Sequence, residues 1–142
     1  MAAALPSHIT FFTDIRQLPA DVVERAGEWM AFYKAQRGAL AQMTYPLLDD
    51  PMEGGWTALQ PWDPEAGDGA LLAFRQGSPD ATRRIALRNV PPGREFDLVR
   101  APAGDVVGTA TSAELAAGLE VTIGEPDGAR ALVIRARDTA AR

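Results

Sequence analysis

The chain lacks the residues that several common chemistries require. Its 142 residues contain no cysteine and a single histidine, His8. The absence of cysteine excludes disulfide bonds, thiol catalysis and thiolate metal sites. A histidine-rich metal site is excluded as well, and a serine–histidine relay could use only His8. We therefore expect a chain of this length to be a module and not a whole enzyme.

Charge and hydropathy argue against two classes of partner. The net charge is −5, from 14 basic and 19 acidic residues. Because neutralising phosphates needs a basic face, we expect no nucleic-acid partner. No window approaches 18 consecutive apolar residues, so we expect no membrane partner either. The start lacks a positively charged segment and Pro6 interrupts its apolar stretch, so we predict no signal peptide and a cytoplasmic protein.

Motifs for cofactors, metals and hydrolytic nucleophiles are also missing. The sequence contains no glycine-rich phosphate loop, no His-Glu-x-x-His and no Gly-x-Ser-x-Gly. We therefore expect no cofactor, no metal and no catalytic residue. Ser7 and His8 are neighbours, but adjacent strand residues point to opposite faces. The remaining catalytic option is a pair of carboxylates, for which the candidates are Asp14, Asp49, Asp50 and Glu53.

The first 54 residues read as one strand followed by one helix. Residues 9–13 are β-branched and aromatic, which favours a strand. Residues 20–37 have the helical apolar period, with Pro19 before them and Gly38 as a natural stop. The period predicts an amphipathic helix with one broad apolar stripe. The stripe contains Val22, Val23, Ala26, Trp29, Met30 and Tyr33.

From residue 55 onward the pattern changes to a period of two. Alternating runs cover residues 70–75, 84–88, 95–100, 119–123 and 132–135. Proline- and glycine-rich turns separate them, and no long helical run intervenes. The sequence thus predicts a mainly β fold, an antiparallel β-sandwich of about seven or eight strands, preceded by one strand and one amphipathic α-helix. We place a domain boundary between residues 1–54 and 55–142.

Two groups of side chains on the predicted strands invite a functional interpretation. Trp56 and Trp62 are six residues apart, so a regular strand puts both indoles on one face. Such a pair could form a platform for a sugar, or it could fill the space between the helix and the sandwich. The second group is a set of arginines that we predict to point outward and to pair with acids across strands, namely Arg75, Arg84, Arg88 and Arg135.

The order of these elements resembles the C-terminal region of melibiase-like alpha-galactosidases. The run Ser7-His-Ile-Thr-Phe-Phe-Thr-Asp14 and the helix ending Trp29-Met-Ala-Phe-Tyr-Lys-Ala-Gln-Arg37 are similar to the last strand and last helix of that family's (β/α)8 barrel. The runs that begin at Trp56, Ala70, Arg84, Phe96 and Leu115 are similar to its C-terminal β-sandwich. The resemblance covers most of the chain, through apolar and turn positions.

The resemblance implies a module without its own catalytic residues. In that family the catalytic aspartates lie on earlier barrel strands, to which no segment of this chain corresponds. Asp14 would lie at the end of a barrel strand, on the side where barrel active sites are built, so it is a substrate-binding candidate together with Trp56 and Trp62. Three functions stay open: a structural or interaction module, a carbohydrate-binding module, or part of an active hydrolase whose barrel is missing or on another chain.

The resemblance also implies that the helix has lost its neighbours in a barrel. Its stripe, here represented by Val22, Trp29 and Tyr33, must then cover the sandwich or bind a partner. We consider two partners for it, a second copy of the chain and a catalytic-barrel chain. A carbohydrate is the third candidate partner of the molecule.

Overall fold

The fold is taken from a computed structural model that describes residues 14–48 and 55–137. Its elements are a 3-10 turn (Ile15–Gln17), α1 (Ala20–Leu40), β1 (Met43–Pro46), β2 (Trp56–Asp63), β3 (Asp68–Arg75), β4 (Thr82–Ile85), β5 (Glu95–Arg100), β6 (Val106–Thr111), α2 (Ser112–Ala117), β7 (Leu119–Thr122) and β8 (Ala129–Ala136). The predicted strand over residues 9–13 and the candidates Ser7, His8, Asp49, Asp50 and Glu53 lie outside the described residues.

The described strands form two antiparallel sheets. The large sheet has the order β1-β2-β3-β8-β5-β6, and the small sheet pairs β4 with β7. The predicted fold class is therefore confirmed: a mainly β, antiparallel protein with its main helix ahead of the strands. In β1, Met43 lies opposite Trp62 of β2, so the large sheet takes its first strand from before the predicted domain boundary.

Apolar side chains on the two faces of the large sheet form two separate cores. The first core lies between the two sheets and is built from large residues such as Trp56, Trp62 and Phe96, which face Ile85 and Val121 of the small sheet. The second core lies on the opposite face of the large sheet. Because both faces are covered, β3 has buried residues at successive positions from Gly69 to Ala73 instead of at every second one.

Helix α1 covers the second face of the large sheet. Its C-terminal half contributes the buried Phe32 and Leu40, and Trp29 and Tyr33 pack around them. The indole of Trp29 meets the ring of Phe32 edge-on, with 6.1 Å between the ring centroids. The helix ends at Leu40, three residues beyond the predicted end at Arg37, because burying Leu40 against the sheet stabilises one more turn.

Candidate functional site

Asp14 caps the 3-10 turn that precedes α1. One carboxylate oxygen accepts a hydrogen bond from the backbone N–H of Arg16 at 3.1 Å, and the guanidinium of Arg16 donates to both oxygens at 2.8 Å. The hydrogen bond with the Arg16 side chain is the main cause that lowers the pKa of Asp14 below its usual value. The carboxylate is thus ionised and already engaged by its own turn, which is the role of a cap.

The two predicted tryptophans lie in the first core. Trp56 and Trp62 share the inner face of β2, as their spacing predicts, and their exposed fractions are 1% and 0%. The indole N–H of Trp56 donates to the carbonyl oxygen of Asp80 at 3.1 Å, which links β2 to the segment before the small sheet. The ring of Trp62 packs against Phe96, with 6.4 Å between centroids.

Trp62 occupies a space that the neighbouring strand leaves free. Gly69 of β3 lies directly opposite it. A Cβ atom at Gly69 would come within 2.9 Å of two atoms of Trp62, which is closer than carbon atoms approach in proteins. The indole N–H of Trp62 is buried and has no hydrogen-bond partner among the described residues. The residue therefore fills the core without a polar connection.

The burial of Trp56 and Trp62 affects whether they can form a platform for a sugar. Stacking on a sugar requires an indole face that a ligand can reach, and both faces are occupied by core side chains. In the part of the chain that the structure describes, neither Trp56 nor Trp62 presents an exposed indole face. The structure places Asp14 elsewhere, at the start of α1, so it does not bring the three candidates together as one site.

Two polar residues whose burial was not predicted from the sequence connect the layers of the sandwich. Gln60 is fully buried on the inner face of β2. Its amide nitrogen donates to the carbonyl oxygen of Arg88 at 2.8 Å, and its amide oxygen accepts from the backbone N–H of Arg88, also at 2.8 Å. The Gln60 amide thus forms the same pair of hydrogen bonds with the Arg88 backbone that a residue of a neighbouring β-strand would form. Gln60 is an even number of residues from Trp56 and Trp62, and this spacing was the signal in the sequence that it lies on their face of β2.

Arg75 is the second such residue, and its prediction as an outward arginine was wrong. Its side chain is buried at the end of β3, with a residue exposure of 7%. The guanidinium donates only to main-chain carbonyl oxygens, those of Ser78, Pro79, Ile123 and Gly124, at 2.7–3.2 Å. Arg75 therefore holds the loop after β3 and the end of β7 together, and these hydrogen bonds offset the cost of burying its charge.

An acidic pair marks the tip of the β2–β3 hairpin. Asp63 and Asp68 face each other across the two strands. An oxygen of Asp63 accepts the backbone N–H groups of Glu65 and Ala66 at 2.9 and 3.0 Å, which forms the turn. Partial burial, and then the charge of Asp63, raise the pKa of Asp68 above its usual value. The hairpin thus gains its turn from one carboxylate and is destabilised by ionising the other.

We predict that Asp68→Asn stabilises the protein at pH 7 and not in acid. Because the pKa of Asp68 is higher in the folded protein than in the unfolded chain, ionising this carboxyl lowers the free energy of unfolding at pH 7. Below the unfolded pKa of about 3.8 the carboxyl is protonated in both states, so this loss of stability disappears. The gain should be below about 1 kcal/mol, since the carboxyl is half solvated. Thermal unfolding at pH 7 and about pH 3 checks it. Asp127→Asn, in an exposed turn, is the control, and an equal gain at both pH values would contradict the prediction.

The described residues show no other arrangement typical of a catalytic centre. Within residues 14–48 and 55–137, no group of three or more histidine, cysteine, aspartate or glutamate side chains could hold a metal ion. Over the same ranges, no helix is both long and apolar enough to span a membrane. The described fold buries four polar residues, and their side chains all form hydrogen bonds with backbone groups of the sandwich itself: Gln60, Arg75, Ser78 and Ser112.

Comparison with solved structures identifies where this architecture occurs. The alpha-galactosidase AgaA of Geobacillus stearothermophilus, a GH36 enzyme, matches 96% of this chain with a TM-score of 0.81 and 18% identity. AgaB of the same organism matches 96% with a TM-score of 0.81 and 20% identity. The alpha-galactosidase of Lactobacillus brevis matches 99% with a TM-score of 0.81 and 19% identity. No protein-family model and no curated protein sequence matches the chain.

The chain therefore has the fold of the C-terminal part of GH36 alpha-galactosidases. At 17–20% identity, this likeness concerns the fold. The chain spans about one fifth of the length of these enzymes, with shares of 18–20%. Since the match takes in at least 96% of this chain, α1 and both sheets belong to the shared architecture.

Proposed function

We propose that the chain is a non-catalytic β-sandwich module of a glycoside-hydrolase-like protein, with a structural or interaction role. The observation that carries this proposal is the asymmetry of the structural match. The shared architecture takes in 96% of this chain and 19% of the Geobacillus enzyme AgaA. The remaining four fifths of such an enzyme have no counterpart in these 142 residues, which supports a non-catalytic role for the module.

The packing of the conspicuous residues supports a structural role. Trp56 and Trp62, the two side chains best suited to a sugar, are core residues. Gln60 and Arg75, the buried groups with most hydrogen-bonding capacity, form their hydrogen bonds with backbone groups and so join strands and loops. A binding or catalytic site normally keeps some polar groups directed at a ligand. Here the buried polar groups serve the sandwich, as a scaffold requires.

A titration with sugars tests the structural role against carbohydrate binding. The chain has three tryptophans, so its indole N–H groups give three NMR signals that report separately. With galactose, raffinose and an aryl alpha-galactoside as probes, we expect no saturable shift of the signals of Trp56 and Trp62. Trp29, which is only partly buried on α1, serves as the internal control for non-specific effects. A saturable shift confined to the two core indoles would contradict the structural role.

A further inference from the structure

We draw no further inference here: the strongest candidate, the apolar groove that Val23, Ala26 and Met30 form along the N-terminal half of α1, carries nothing because nothing in the described residues 14–48 and 55–137 shows what covers it.

Discussion

Arg75→Met should lower the free energy of unfolding by about 3 kcal/mol, although methionine fills much of the same volume. The substitution removes five N–H donors and leaves the carbonyl oxygens of Ser78, Pro79, Ile123 and Gly124 without their side-chain partner. Urea unfolding followed by tryptophan fluorescence measures the change. Arg75→Lys should recover little, because one ammonium group cannot reproduce the planar array of donors.

Arg83→Met is the matched control for this effect. Arg83 lies on β4 and is exposed, so the same chemical change should alter stability by no more than about 0.5 kcal/mol. If both methionine variants had the same stability, the hydrogen bonds of Arg75 would contribute nothing beyond an ordinary surface arginine. That result would contradict the role of Arg75 in joining the loop after β3 to the end of β7.

Gln60→Glu should destabilise the protein by about 3–5 kcal/mol at pH 7, although only one atom of the side chain changes its chemistry. The substitution replaces the donor that faces the Arg88 carbonyl by a second carboxylate oxygen and buries a negative charge in the first core. Burial raises the pKa of the new carboxyl in the folded protein above its value in the unfolded chain, so the loss of stability is full above the folded pKa. The loss should shrink as the pH falls from the folded pKa to the unfolded one.

Thermal unfolding at pH 7 and about pH 4 separates this mechanism from simple misfolding, because only a buried charge gives a pH-dependent penalty. Gln76→Glu is the control, since Gln76 is exposed and its side-chain oxygen accepts the hydroxyl of Thr57, which glutamate can also do. That variant should lose little stability at either pH. A pH-independent loss for Gln60→Glu would show that Gln60 acts through its shape and not through its hydrogen bonds.

The main elements were predictable because their residues repeat with clear periods. The helical period of α1 and the alternation in β3, β5, β7 and β8 are visible in the sequence, and proline and glycine mark the turns between them. The sequence of one helix followed by a β-sandwich also matched the order of elements in the C-terminal region of alpha-galactosidases. These features depend on local residue patterns, which is why one sequence was sufficient to predict the fold class.

The sequence analysis did not predict β1, β6 and α2. Pairing with neighbouring strands determines β1 and β6, whereas a capping motif marks the start of α2. β1 is short, ends in Pro46 and has little apolar alternation, and it becomes a strand by pairing with β2. β6 has two consecutive exposed valines and a glycine, and it is held by pairing with β5. For α2 a signal did exist: Thr111 and Glu114 form a capping box, a motif readable as Thr-x-x-Glu.

The interior polar contacts were harder to predict than the strands. Leu71, Ala73 and Arg75 lie on one face of β3, while Ala70, Leu72 and Phe74 lie on the other, and both faces are apolar. Alternation therefore could not show which face meets the small sheet, and the charge of Arg75 favoured an outward position. What decides its burial is the set of carbonyl groups that loops bring to it, and no local pattern encodes them.

An activity measurement on the purified chain tests the central claim that this sandwich is non-catalytic. The substrate is a chromogenic aryl alpha-galactoside, and an intact GH36 alpha-galactosidase in the same assay serves as the positive control. We predict no turnover above the protein-free blank at any pH between about 4 and 8, the range over which catalytic carboxylates act. Turnover by the pure chain that is lost in Asp14→Asn would contradict the account.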